Sequence, residues 1–231
     1  MRIVRTLLAL SFFMATMNSA FSFAPVLSPA KIPMSARKKN PVVLVHGFMD
    51  DDRTMRVPAR HLRREGWEVC TIKLSPCLGQ VGIEVLGKQL HDYIGAHLAG
   101  AGKIDLVGFS MGGLVCRYYV QRLGGAARVQ RLVTISSPHH GTLTAYLLAN
   151  PGSRQMRPDS PFLRELNGDL QSLAGVEFTS IWSPLDLMIV PAASSRMPIG
   201  REVRLCVLLH PLMVWQPCSI RAVAQALLGS S

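Results

Sequence analysis

The segment Gly108-Phe109-Ser110-Met111-Gly112-Gly113 constrains this chain more than any other. A mostly apolar run, residues 104–109, precedes the serine, and apolar residues at helical spacing over 111–123 follow it. Reading a strand from the first and a helix from the second leaves a single residue in which the chain must turn. So tight a turn lifts a serine hydroxyl clear of the sheet, where a base can reach it. Glycines two residues to either side remove the side chains that would otherwise collide. The helix that follows directs its N-terminus, with its partial positive charge, at the place where negative charge would develop. Ser110 is therefore the candidate nucleophile. A structural Gly-Ser turn is the alternative, and it gives no reason for this strand before and this helix after.

The remaining chain alternates in the same way. Strands are expected at 42–46, 67–74, 104–109, 129–136, 176–182 and 203–209, and helices at 57–65, 80–99, 111–123, 161–173 and 219–228. Strands separated by helices of this length imply βαβ units, and hence a mostly parallel six-stranded sheet with helices on both faces. Residues 139–159 form the longest stretch without clear periodicity, and a loop of that length is often functional.

The chain has 231 residues and a formal net charge of +11, but the charge is unevenly placed. Arg2, Arg5, Lys31, Arg37, Lys38 and Lys39 all precede the first acidic residue, Asp50, and the rest of the chain carries 19 basic against 14 acidic residues. Two arginines, an apolar stretch over 6–17 and small residues at Ser19 and Ala20 form the pattern of a secretory signal peptide. Residues 21–40 hold prolines, serines and basic residues but no acid. They resemble a transit peptide, and Ala20-Phe21 followed by Phe23-Ala24-Pro25 resembles the bipartite leader of algae with secondary plastids. An ordinary linker after a signal peptide is the other reading. Residues 1–40 are thus expected to be a cleavable leader for secretory-pathway entry, with the plastid or secretion as destination. The catalytic domain is expected over 41–231.

Five cysteines, Cys70, Cys77, Cys116, Cys206 and Cys218, occur with no zinc-like spacing. Cys70, Cys116 and Cys206 have apolar neighbours and read as small core side chains, whereas Cys77 lies in a Pro-containing loop. No metal and no cofactor is expected.

A serine nucleophile needs a base and an acid, in the order serine, acid, histidine for a strand-turn-helix of this kind. Asp186 follows the fifth strand in a turn-forming stretch, and His210, the only histidine after it, follows the sixth. His210 would take the Ser110 proton and return it to the leaving group, while Asp186 would hold its tautomer. Asp169 and Glu177 are the substitute acids. Two backbone N–H groups would stabilise the oxyanion, one from Met111 and one from Phe48, which follows His46-Gly47 after the first strand. His46 reads as a hydrogen-bonded structural histidine. His139 and His140 suggest a metal, yet adjacent side chains diverge and no third ligand is evident. They read as loop residues near the site mouth, with Ser137 or His139 as a buttress.

On His46-Gly47-Phe48, Gly108 to Gly113, Ser136 to Thr142, the stretch around Asp186, and His210, residues 41–228 resemble a small triacylglycerol-lipase-like α/β hydrolase of the cyanobacterial and minimal bacterial lipase type. The resemblance implies a minimal α/β-hydrolase fold and ester hydrolysis, with acyl lipids as the leading substrate class. Thioesters or short-chain esters are the alternative within enzymes. A hydrolase-fold binding protein without turnover is the alternative outside them. The chain has no room for an elaborate lid, since only about 20 residues separate the strand ending near Ser136 from the next long helix.

A nucleic-acid role is not expected, because the basic excess lies mainly in the leader and no patch of closely interleaved basic and aromatic residues is present. Arg53, Arg56, Arg60, Arg63 and Arg64 recur at spacings of three and four. On a helix they would form one basic stripe, either a plain solvated face or a peripheral contact with an anionic membrane surface.

Overall fold

A computed structural model describes residues 39–229. The leader expected over 1–40 lies outside the described residues except for its last two, Lys39 and Asn40. Among the described residues there are six strands: β1 (Val42–Val45), β2 (Val69–Ile72), β3 (Ile104–Phe109), β4 (Val129–Ile135), β5 (Glu177–Trp182) and β6 (Arg201–Arg204). They form one sheet in the order β2-β1-β3-β4-β5-β6, and every pair is parallel. The helices are α1 (Arg56–Arg64), α2 (Ile83–His97), α3 (Met111–Arg122), α4 (Pro151–Gln155), α5 (Pro161–Gly168) and α6 (Pro217–Leu228).

Alternation along the central strands divides the core in two. Val43, Val45, Leu106 and Leu132 pack with α2, α3 and α5 on one face, through Leu86, Leu90, Leu114 and Leu163 among others. Val42, Leu44, Val107 and Val133 pack with α1 and α6 on the other, through Ala59, Leu62, Val223 and Leu227. Central strands covered on both faces are mostly apolar, and β1 is wholly so: all four of its residues are buried.

Three expectations are corrected at the edges. The sixth strand ends at Arg204 and not at 209. It is an edge strand, and its charged residues Arg201, Glu202 and Arg204 are exposed, which blunts an otherwise open edge. After Leu205 bonds Trp182, the apolar stretch leaves the sheet, exposes Leu208 and turns at Leu209, where φ is 72°. Cys206 goes with it and is exposed rather than a core residue, whereas Cys116 is buried and Cys70 half-buried. Finally, the helix expected over 161–173 stops at Gly168, and a short 3-10 turn, Gln171–Leu173, replaces its last part.

The sheet order places the site. The chain runs from β1 to β2 on one side and returns to β3 on the other side of β1. The loops at the carboxyl ends of β1 and β3 therefore diverge, leaving the crevice that this topology offers a ligand.

Candidate active site

Ser110 is the one residue between β3 and α3, and its backbone sits at φ 54°, ψ −124°, a conformation L-residues rarely adopt. Two hydrogen bonds hold it there. Its N–H donates to the Ile135 carbonyl at 2.8 Å, and its own carbonyl accepts from Gly113 at 3.0 Å. The flanking glycines are required by close approach. A Cβ on Gly108 would lie 2.6 Å from the Gly113 backbone, and one on Gly112 would collide with the Val45 and His46 carbonyls. The elbow thus forms because α3 packs directly on the end of β1.

The β1 loop reaches the same place. Gly47 lies against Ser110 so closely that a Cβ on it would be 3.0 Å from the serine Cβ. Phe48 follows it, and Met111 is the first residue of α3, so its N–H has no intrahelical acceptor. Both expected oxyanion donors accordingly flank the elbow. His46 is fully buried and structural. Its Nε2 accepts from the Leu74 N–H at 2.9 Å, which assigns the ring proton to Nδ1, 2.9 Å from the Gly47 carbonyl.

Asp186 and His210 come together across the loops after β5 and β6. His210 Nδ1 donates to the Asp186 carboxylate at 2.7 Å, and the imidazole packs on the Phe109 ring with centroids 4.8 Å apart. The His210 imidazole is thereby seated beside the residue that precedes Ser110. The other carboxylate oxygen accepts from the N–H groups of Met188, at 2.9 Å, and Ile189, at 3.1 Å. Burial alone would raise the Asp186 carboxyl; the hydrogen bond and charge of His210, with these two N–H groups, outweigh it and hold the carboxyl below its ordinary value.

The substitute acids lie elsewhere. Asp169 pairs with Arg122 and accepts from Ser172, and Glu177 pairs with Arg131. His139 does not touch the pair either. It is buried between Thr134, 3.0 Å from its Nε2, and Arg117, 3.4 Å from its Nδ1, while His140 points outward to an exposed position. Among the described residues no cluster of histidine, cysteine or carboxylate side chains could hold a metal.

The strongest link between the Ser136–Thr142 stretch and the acid loop was not legible in the sequence: it is Thr142. Its hydroxyl accepts from the Val190 N–H at 2.9 Å and donates to the Met188 carbonyl at 2.8 Å, clasping the loop that carries Asp186. Ser183 fastens the other side, donating to the Val207 carbonyl at 2.8 Å. Both lie in segments that carry the resemblance, but their roles rest on contacts between segments distant in sequence.

Residues 41–165 match the family model described as palmitoyl protein thioesterase. The chain belongs to the palmitoyl protein thioesterase family. The match covers the β1 loop and the Ser110 elbow, and Asp186 and His210 lie beyond it. Curated relatives include a triacylglycerol lipase of Burkholderia plantarii, 33% identical over 125 residues, which span 50% of this chain and 34% of that protein. Another is a triacylglycerol lipase of Pseudarthrobacter phenanthrenivorans, 33% identical over 115 residues, which span 46% of this chain and 35% of that protein. The matched segment is thus about a third of these relatives' length. Among solved structures, Bacillus licheniformis lipase BlEst2 in its mature form superposes with a TM-score of 0.69 at 16% identity, covering 87% of this chain and 96% of that one. Aspergillus fumigatus lipase B gives 0.71 at 20% identity, covering 88% and 56%. These establish a lipase-like α/β-hydrolase fold for this member of the palmitoyl protein thioesterase family.

The loops at the carboxyl ends of the strands expose several apolar side chains. Leu143, Tyr146 and Leu147 are 54–61% exposed on the segment after β4, and Leu187 is 66% exposed after Asp186. Met49, Leu78, Leu185, Met188 and Leu208 join them on the other loops at the carboxyl ends of the strands. Residues 139–159, expected to be irregular, contain a 3-10 turn, Leu143–Leu147, and α4, which Asn150 caps by accepting from Ser153 at 2.8 Å. They rim the site with short elements.

Proposed function

We propose that this chain is a serine hydrolase that cleaves carboxylic esters of acyl lipids through an acyl-enzyme at Ser110. The observation that carries the reading is the bond from His210 Nδ1 to buried Asp186, which leaves Nε2 as the one ring nitrogen able to take a proton. In this scheme His210 accepts the Ser110 proton as Oγ bonds the acyl carbon, and the carbonyl electrons collect on oxygen opposite the Phe48 and Met111 N–H groups. The intermediate collapses, the bond to the leaving alcohol breaks, and His210 returns the proton to that alcohol. A water molecule, deprotonated by the same imidazole, then bonds the acyl carbon; the bond to Ser110 Oγ breaks, the acid leaves, and the imidazolium returns its proton to Oγ. The apolar side chains around the elbow suit a long acyl chain, which gains more from them than a short one does.

A second reading, cleavage of acyl thioesters, is favoured by the family match over 41–165. The same steps apply, with a thiol as the leaving group. Matched oxoester and thioester substrates of short and long acyl chains separate the two. The first reading expects turnover of long-chain oxoesters that is abolished in Ser110→Ala. Preferential turnover of thioesters would shift the assignment to the second. No turnover of either, with an intact fold, would leave a binding protein. Residues 1–40 are proposed as the leader that delivers the domain to the secretory pathway or plastid.

A further inference from the structure

The outer face of α1 gathers Arg56, Arg60, Arg63 and Arg64 around a hollow of about 510 Å³, which Thr71 also lines and in which Asp52 is the only carboxylate. All four arginines are exposed. Elsewhere among the described residues, Arg53, Arg122, Arg131 and Arg196 pair with carboxylates, and none of these four does. Arg63 donates to the Val69 carbonyl at 2.7 Å, which holds one guanidinium at the rim. Like charges crowded on a nine-residue helix repel one another, and an anion in the hollow would relieve that repulsion.

Apolar side chains accompany the charge. Val57 is exposed on α1 and shares a helical face with Arg60 and Arg64, three and seven residues on. Met49 is exposed on the preceding loop, next to Phe48. A cationic helix face with exposed apolar side chains is the pattern of an element lying on a lipid interface. Its first turn follows the loop that lines the elbow, and its last turn reaches Val69 at the start of β2.

We propose that this arginine-lined hollow is a docking site for the phosphate head groups of an anionic lipid surface. It rests on the acyl-lipid reading for its purpose but not for its test. A helix held by head groups would keep the β1 loop, and with it the elbow, turned towards the bilayer that contains the substrate.

The test uses the full chain carrying Ser110→Ala, so that vesicles are not consumed. Residues 1–38 are common to every variant, and differences between variants therefore report the arginines. Binding to phosphatidylcholine vesicles containing phosphatidylserine is expected to exceed binding to pure phosphatidylcholine and to weaken with salt. Arg56→Gln, Arg60→Gln and Arg64→Gln together should lower the anionic partition coefficient on the order of 100-fold at low salt. Arg63 is kept, because it also holds Val69. Inorganic phosphate at the same ionic strength as a chloride control should compete weakly; strong competition would reassign the hollow to free phosphate and overturn the lipid assignment. Equal binding to neutral and anionic vesicles, or unchanged binding of the triple variant, would also overturn it. In the Ser110 background the triple variant should hydrolyse a water-soluble short ester at the normal rate. Absence of that hydrolysis in the wild type would count against the catalytic reading alone.

Discussion

His210 Nδ1 and the Asp186 carboxylate meet at 2.7 Å although 24 residues separate them. The pair is buried, and the same carboxylate is fixed from its other oxygen by the Met188 and Ile189 N–H groups. Asp186→Asn retains the shape but not the acceptor that holds Nδ1–H. Turnover is expected to fall about 10⁴-fold with near-native circular dichroism. The pH dependence of stability has a definite sign. The folded-state carboxyl lies below its ordinary value, so its contribution is present above the unfolded pKa and is lost as pH falls through the folded one. Urea denaturation should find wild type more stable than Asp186→Asn near neutral pH, with the difference shrinking below about pH 4.

Thr142 acts on the reaction only through the acid loop. Thr142→Val removes the acceptor of the Val190 N–H and one of the two hydroxyls that donate to the Met188 carbonyl, the other being Thr144, and should cost about 1–3 kcal/mol in stability. A displaced Asp186 should also lower kcat by as much as about 10²-fold, with KM for a short ester little changed. Thr142→Ser keeps the hydroxyl and should restore most of kcat. A Val variant with full kcat would make the clasp purely structural.

His139 supplies a second pH-dependent term, independent of the acid. Burial, then the charges of Arg117 and His140, hold its pKa well below the ordinary histidine value. Arg117 is itself buried, its neighbours Gln121, Asn167 and the Leu166 carbonyl are neutral, and burial pushes its pKa down to about 9. An imidazole kept neutral in the fold but protonated when unfolded contributes stability above the unfolded pKa. That contribution is lost as pH falls from about 6.5 towards the folded value. Wild-type stability should decline over that range, and His139→Gln should flatten the decline. Identical slopes for the two proteins would contradict the assignment.

The central strands and both core faces were readable because a parallel sheet covered on two sides favours continuous apolar runs, as over β1. The elbow was readable because its glycines answer to backbone collisions within a few residues. Residues 205–209 were misread because an apolar run is the same signal whether it pairs in a sheet or leaves it to carry His210. Thr142 and Ser183 escaped notice for a different reason: a hydroxyl that bonds backbone 46 or 24 residues away leaves no local pattern. Arg117 was equally silent, since an arginine on a helix ordinarily faces water and only the packing of α5 over α3 buries this one.

The central claim, that Ser110 forms the acyl-enzyme, is tested most directly by labelling with an alkyl fluorophosphonate and mapping the modified peptide. An activated serine displaces fluoride and retains the phosphonyl group, while an ordinary serine hydroxyl does not react at a comparable rate. The account predicts stoichiometric modification of Ser110 in the wild type and none in a folded Ser110→Ala variant. Modification of another serine, or labelling that survives in Ser110→Ala, would contradict it.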